Sequence, residues 1–333
     1  MQPLPLVSVI IVTWNSKRYL TDCLAHLLKQ TFYDFEIILV DNGSEDDTLD
    51  KLEEKYPSLD LHINKLSSNL GFAVANNIGV RLAHGKWLAL LNADAYPEPD
   101  WLERLLRVAT QNTVYSSFSS RQIQFNAHDL LDGAGDTYHI TGLAWRRYYN
   151  KLVKEYGQRT EEVFSACPAA ALYSREEFLK VGGFDEDYFS YFEDVDLGFR
   201  LRLSGEKCLY VPEAVVHHVG SASTGKRSDF SVYYGYRNMI WTFVKNMPTP
   251  LIWIFLPLHI AAILFFAIYL TLRGQGKAIW RAIFDAIRGL PKMIEKRKTI
   301  QKSKKIKWTE LLKVMSTGLF EPFQEFIYRN KQK

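Results

Sequence analysis

Cysteine is scarce in this chain. Cys23, Cys167 and Cys208 are the three thiols in 333 residues, and none forms a CxxC pair or a Cys/His zinc spacing. That excludes a zinc module and a disulfide-built scaffold, and it fits buried thiols in a reducing compartment. The first residues lack a basic stretch followed by an apolar one, so no signal peptide is expected. Internal repeats and low-complexity tracts are also missing, which excludes a solenoid or a disordered linker protein. What is present is an ordinary globular complement, 47% hydrophobic, enough for a sizeable core.

The net charge of +4 conceals an asymmetry. Residues 273–308 hold 12 Lys/Arg against 2 Asp/Glu, a local +10, and residues 309–333 add +1 (4 against 3). The first 272 residues therefore carry about −7, an acidic body with a basic appendix. Just before the appendix, Leu251–Leu272 runs 22 residues without a formal charge, interrupted by Pro257 and His259. That is long enough to cross a bilayer. The following basic segment would sit on the cytoplasmic side. A full crossing would leave the acidic body outside without a signal peptide. A hairpin-like or shallow insertion, broken at Pro257, avoids that conflict. A buried helix of a soluble fold is the competing reading. The chain length favours about two domains, with expected limits 1–246 and 247–333.

Along residues 1–246, β-branched runs alternate with helical patterns. Val7–Thr13 and Phe35–Val40 read as buried parallel strands, Leu61–Asn64 as a short third and Trp87–Leu91 as a fourth. Asn15 and Ser16 offer caps for a helix over 17–30. An acidic helix is expected through Tyr56, with others over 72–83 and from Pro99 through Ala109. This is the pattern of an open, doubly wound α/β sheet, in which ligands bind beyond the carboxyl ends of the strands. Asn15, Asp41 and Asp94 occupy such ends.

The densest chemistry lies in Tyr188–Arg200, where Glu193, Asp194 and Asp196 follow Tyr188, Phe189, Tyr191 and Phe192. Carboxylates among aromatics carry a desolvation cost and usually have a partner or a task. Such surroundings suit a base that deprotonates a hydroxyl, with the aromatics as a sugar platform. A helix start rich in acids is the simpler alternative. Asp94, in Asn92-Ala93-Asp94, could hold a divalent cation together with substrate phosphates, or cap a turn. Asp41 could accept from a pyrimidine imide, or bond its own turn. Gly71 and Asn76 begin a helix where backbone could approach a phosphate or sugar, although close packing explains them equally well. His217 and His218 could serve a metal or a diphosphate. Lys226, Arg227 and Arg237, among tyrosines, could meet diphosphate or lipid headgroups.

Taken in order, Val-Thr-Trp-Asn, Val-Asp-Asn-Gly-Ser, Asn-Leu-Gly-Phe-Ala, Leu-Asn-Ala-Asp-Ala, Val-Gly-Gly-Phe-Asp-Glu, Phe-Glu-Asp-Val-Asp-Leu-Gly-Phe-Arg and Tyr-Val-Pro-Glu-Ala-Val-Val-His-His run from Val12 to His218, within a resemblance that covers about residues 6–245. The set resembles the family 2 inverting glycosyltransferases of GT-A fold, rhamnosyltransferase-like branch. The resemblance implies a doubly wound mixed sheet, a nucleotide-diphosphate sugar donor, Mg2+ or Mn2+, and transfer with inversion. It also implies roles. Thr13, Asn15 and Asp41 would hold the nucleoside, with Gly71, Asn76, Asn92 and Asp94 completing the donor site. Asp94 and His218 would bind the metal, His218 standing five residues before Ser223 as in the family's His-x-x-x-x-Ser pattern. Asp194 would be the base with Glu193 beside it, Asp196 a helix-start residue, and Asp185 and Tyr191 would lie near the acceptor. The metal motif departs from the family's usual pair by carrying one carboxylate. The Gln-x-x-Arg-Trp signature of processive synthases is absent, which implies one sugar per encounter.

The expected function is transfer of a single sugar, dTDP-L-rhamnose as the leading donor, to a lipid-linked saccharide in cell-surface polysaccharide assembly. The expected place is the cytoplasmic face of the membrane, against anionic lipids. No nucleic-acid partner is expected, and homo-oligomerisation stays open. The rivals are a nucleotidylyltransferase, whose Gly-rich basic loop is missing from Val7–Arg18, and a silent scaffold, which the retained Asp94 and Asp194 count against.

Overall fold

The computed structural model describes residues 4–220 and 228–325. In chain order it runs β1 (Val7–Thr13), α1 (Lys17–Leu27), β2 (Phe35–Asp41), α2 (Leu52–Lys55), β3 (Leu61–Lys65), α3 (Phe72–Leu82), β4 (Trp87–Leu91), β5 (Ala95–Pro97) and α4 (Trp101–Gln111). It continues through β6 (Ser117–Gln124), β7 (Ala127–Gly133), β8 (Asp136–Tyr138), β9 (Ala144–Arg146), β10 (Glu161–Val163), β11 (Ala170–Ser174), α5 (Arg175–Lys180), α6 (Glu193–Leu203) and β12 (Cys208–His218). Four helices close it: α7 (Asp229–Asn246), α8 (Leu251–Leu270), α9 (Gly276–Ser303) and α10 (Trp308–Val314).

The main sheet has the order β10-β12-β6-β11-β4-β1-β2-β3. Strands β3, β2, β1 and β4 are parallel. The buried apolar runs of β1, β2 and β4 suit strands covered on both faces, whereas β3 (Leu61–Lys65) is the half-exposed edge. β11 then pairs antiparallel with both β4 and β6, and β12 runs parallel to β6. The doubly wound mixed sheet of the sequence reading is therefore the fold. Two apolar clusters pack on its faces, one with Trp101 and α1, the other with Phe178, Phe184 and α3.

Several local expectations differ from what forms. The acidic helix through Tyr56 shrinks to Leu52–Lys55, because Lys51 at φ 52° breaks its start. Ser16 makes no side-chain cap to α1. Its hydroxyl donates to the Trp14 carbonyl at 3.0 Å, and Asn15, at φ 49°, accepts from the Glu45 amide at 2.9 Å. The expected break at Pro257 does not occur, since α8 continues through it. The chain instead reverses at Gly274, whose φ of 84° no helix interior accommodates.

The C-terminal helices share a core with the sheet region. Tyr138, Phe164, Phe199, Phe243, Leu251 and Leu311 belong to one apolar cluster. Helix α7 is the strut on which the site described next depends.

Candidate active site

At the carboxyl ends of β1, β2 and β4 opens a cleft of about 530 Å³. Its walls include Trp14, Asn42, Gly71, Asn92, Asp94, Phe189 and Phe230. Of the residues singled out from the sequence for the donor, Gly71, Asn92 and Asp94 line this cleft, while Thr13, Asn15, Asp41 and Asn76 do not. Thr13 and Asp41 are register partners on adjacent strands, both buried, and the Thr13 hydroxyl has no hydrogen-bond partner. Asp41 accepts from the Ser44 amide at 3.3 Å and closely from its hydroxyl, the turn arrangement that was the simpler of its two readings. It borders a separate depression with Asp46, Asp47 and Lys65. Ser44 also accepts from the Asn15 amide at 2.9 Å, so Asn15, Ser44 and Asp41 form one chain of contacts.

Two donor candidates are spent on packing. Asn76 donates to the Phe72 carbonyl of its own helix at 2.9 Å. Gly71, at φ 88°, does permit a close approach, but the group approaching is Phe189, whose ring and carbonyl would stand 2.6–2.7 Å from an added Cβ. A neighbouring asparagine does what neither was expected to do. Asn77 donates to the Phe184 carbonyl at 2.8 Å and accepts from its amide at 3.0 Å, pinning the Gly182-Gly183-Phe184 turn to α3.

Asp94 and His218 come together from positions 124 apart in sequence. The β5–β12 pairing sets His218 opposite Ala95. His218 Nε2 lies 3.3 Å from Asp94 Oδ1, and its Nδ1 lies 2.7 Å from Asp132 Oδ2. Asp94 Oδ2 also accepts from the Gly220 amide at 3.2 Å. Burial alone would depress the imidazole, but the two carboxylates win and raise it to about 9. His217 points to the other side of the strand, 2.9 Å from Glu98. Ser223, Lys226 and Arg227 lie outside the described residues.

The chemistry of this donor set fits a divalent cation. An imidazole whose Nδ1 is held by a carboxylate presents a fixed Nε2, the arrangement of many histidine ligands, and a carboxylate stands beside it. Among the described residues no group of three or more His, Cys, Asp or Glu forms a complete metal cage. The pair therefore suits an ion such as Mg2+ that takes its remaining oxygens from a bound diphosphate and water.

Asp132 was not singled out from the sequence, and neither was Arg146. Arg146 donates closely to Asp132 Oδ2 and also acts electrostatically on Asp194. A charged relay, Asp94–His218–Asp132–Arg146, thus leads from the metal candidates towards the base candidate. Nothing in their spacing in the sequence announces the pairing.

Asp194 and Glu193 open α6. Burial pushes the Asp194 carboxyl up to about 6, against the lowering effect of the Val195 amide and Arg146. Glu193 is buried with its Oε2 unpartnered, and burial next to Asp194 raises its carboxyl well above the usual range. Asp196 stands in the first turn of α6, as expected, and has a further role in ion pairing. It is fully buried and sits 2.7 Å from Lys245, 2.8 Å from Arg200 and 2.7 Å from the Asn246 amide. Asp185, expected near the acceptor, is likewise ion-paired, 2.5 Å from both Lys245 and Lys296.

The aromatics before the acids divide into two sets. Tyr188 is fully buried and within 2.9 Å of the Thr242 hydroxyl, and Phe192 packs against the core. Phe189 borders the cleft, and Tyr191 reaches Phe230, another cleft residue, at 6.1 Å between rings. Phe189, Tyr191 and Phe192 all have positive φ, between 63° and 69°, a conformation costly for bulky residues. Helix α7 holds them there. The Asn238 amide donates to the carbonyls of Tyr188, Ser190 and Tyr191 at 3.0, 3.0 and 2.7 Å. Arg237 donates to those of Asp187 and Tyr188, both at 3.0 Å. Arg237, which could have met diphosphate or lipid headgroups, is thus a clamp for the loop.

Comparison with known proteins adds to this geometry. The sequence profile described as Glycosyl transferase family 2 matches residues 8–182. An "Uncharacterized glycosyltransferase" of Haemophilus influenzae is 35% identical over 122 residues, 36% of this chain and 38% of its own length. The "N-acetylglucosaminyl-diphospho-decaprenol L-rhamnosyltransferase" of Mycobacterium tuberculosis is 30% identical over 252 residues, covering 66% of this chain and 78% of that protein. Among solved structures, residues 1–349 of S. aureus TarS superpose with a TM-score of 0.58 at 17% identity, over 89% of this chain and 90% of that one. GalNAc-T7 with UDP, GalNAc and Mn2+ gives a TM-score of 0.59 at 18% identity, over 74% of this chain and 48% of that one.

Proposed function

The chain belongs to glycosyl transferase family 2, and from that premise we propose that it transfers one sugar, with inversion, from a nucleoside-diphosphate donor to a lipid-linked saccharide. A dTDP-linked deoxyhexose, rhamnose first, is the donor. The observation that carries this reading is the cleft lined by Asp94 and Phe189, with His218 3.3 Å from Asp94 behind that lining. A carboxylate raised to about 6 by burial stands at the start of α6, outside the lining. The Mycobacterium tuberculosis relative, whose name carries both a rhamnosyl group and a decaprenol diphosphate, supports the choice of donor and acceptor.

In this reading Thr13, Asn15 and Asp41 would bound the nucleoside end of the donor, although none of them lines the cleft itself. Asp94 and His218 would hold a divalent cation, which when bound supplies positive charge for a departing diphosphate. Asp132 keeps His218 oriented through Nδ1. Asp194 takes the proton from the acceptor hydroxyl. A base with a pKa near 6 is largely ionised at neutral pH yet basic enough to accept that proton. Burial beside Asp194 disfavours the ionised form of Glu193, which limits a second negative charge next to the base. Phe189 and Tyr191 offer apolar faces to a sugar ring. Membrane attachment at the cytoplasmic face, through the segment 247–333, would bring a lipid-linked acceptor within reach.

Release of nucleoside diphosphate, measured with a panel of sugar donors in the presence of a polyprenyl-diphosphate saccharide and Mg2+ or Mn2+, tests the proposal. Acceptor-dependent release from dTDP-L-rhamnose with inversion of the anomer is the expected result. Release from another donor alone would replace the sugar, and formation of a nucleotide sugar from a sugar phosphate would replace the reaction class.

A further inference from the structure

The outer surface of the C-terminal helices has a chemistry of its own. Helices α7, α8 and α9 lie side by side, α8 antiparallel to α7 and α9 parallel to it. Leu251 joins the cluster of Phe243, Ala267 that of Val232. On the other flank Gln275 reaches Asp229 at 3.1 Å and Gln301 the Asn246 carbonyl at 2.9 Å. The inner face of α8 is fastened along its length. The His259 ring stacks on Phe243 at 3.9 Å, its Nδ1 is 2.7 Å from the Thr141 carbonyl, and Phe266 meets Tyr236 at 5.6 Å. The outer face is apolar throughout: Trp253, Ile254, Ile260, Leu264 and Ile268 are 48–69% exposed. On α9 the outward residues mix Trp280, Phe284 and Ile287 with Lys277, Arg281 and Arg288.

Exposed apolar surface of this extent in a folded chain marks a contact with another phase or molecule. A crossing of the bilayer is a poor match. Helix α8 could span only by leaving α7, or by drawing with it a helix that carries Arg237 and the buried, ion-paired Lys245. Helix α9 carries 8 Lys/Arg in 28 residues and cannot serve as a returning span. A helix fixed on one face and apolar on the other, beside a basic neighbour, meets the requirements of an element lying in the plane of an anionic leaflet.

We propose that α8 and α9 lie flat in one leaflet of an anionic membrane, without crossing it, and hold the cleft mouth at headgroup level. The Gln275–Asp229 contact sets the α8–α9 turn beside Ser228 and Phe230, which line the cleft. A lipid-linked acceptor would then reach the cleft without leaving the bilayer. This deepens the membrane-attached reading above and rests on it.

The test uses the full chain with phosphatidylcholine vesicles, with and without 30% phosphatidylglycerol. Environment-sensitive labels go on single cysteines introduced at Ile254, Ile260 and Ile268 in a Cys167→Ser background, and depth is read with lipid-borne quenchers. The expected result is binding that needs the anionic lipid, and one shallow depth at all three positions. A graded depth, deepest near Ile260, would overturn the in-plane arrangement while leaving membrane attachment intact. Absence of binding to either vesicle would remove both, and a stable dimer that protects all three labels from quencher would assign the face to a second copy instead. The triple variant I254D/I260D/I268D is expected to lose at least about tenfold in vesicle partition while keeping its donor affinity. Unchanged partition would also overturn the proposal.

Discussion

His218 and Asp94 face each other across 3.3 Å, Nε2 to Oδ1, although one ends the last strand of the sheet and the other follows the fourth. The antiparallel pairing of β5 with β12 creates that contact. It makes the two-residue cation site of the proposed function, and a third residue, Asp132, stands behind the ring at 2.7 Å from Nδ1.

Asp132 is therefore expected to matter to metal binding without touching the metal. Asp132→Asn should weaken Mn2+ affinity, measured by electron paramagnetic resonance in the presence of nucleoside diphosphate, by about 10- to 100-fold. An affinity equal to wild type would reduce Asp132 to a partner of Arg146 alone.

The pH dependence follows from Asp194. Its carboxyl, raised to about 6 by burial, must be ionised to act, so kcat/KM should rise with pH through a limb near 6 and level off above it. Arg146 favours the ionised form. Arg146→Met should therefore move the limb to higher pH. A limb that stays in place would disconnect Arg146 from the base.

Asn238 holds three carbonyls of a loop in which three bulky residues have positive φ. Asn238→Ala leaves those buried acceptors without their donor, at a cost of about 1–3 kcal/mol each where water cannot replace it. Thermal unfolding should show a loss of at least about 2 kcal/mol, and KM for the acceptor should rise more than KM for the donor. Equal effects on both substrates would argue against a role for this loop at the acceptor side.

Asp196 predicts acid sensitivity. Burial alone would raise its carboxyl, but Arg200 and Lys245 lower it below the ordinary 3.8. A carboxylate depressed in the folded state contributes stability above its unfolded pKa, and that stability is lost as pH falls through the folded value. Asp196→Asn should cost about 3–5 kcal/mol at neutral pH, since it leaves buried Lys245 without one of its two carboxylates. The difference between variant and wild type should narrow below about pH 4. A constant difference across pH would place the stability elsewhere.

The sequence made the sheet legible because Val7–Thr13, Phe35–Val40 and Trp87–Leu91 are uninterrupted apolar strands, and covered parallel strands need that pattern. The ordered motifs led to the family. The site was less legible because its connections are long-range. Nothing local in Asp132 or Arg146 indicates His218 or Asp194 as a neighbour. Asp185 and Asp196 looked as chemical as Asp194, and only the arrival of Lys245 and Lys296 from distant helices shows them to be neutralised structural charges. Tyr188 and Phe189 are adjacent in the same motif, yet one is core and the other borders the cleft. Backbone reversal at Phe189, held by α7, separates them.

The most direct test replaces one atom of the proposed base. Asp194→Asn preserves shape and removes the negative charge. Donor binding by calorimetry and sugar transfer by product formation would be measured on the same preparation. The account predicts donor affinity within about twofold of wild type and a fall in turnover of about 10²–10⁴-fold, the scale of a lost general base. Near-normal turnover with intact donor binding would contradict it.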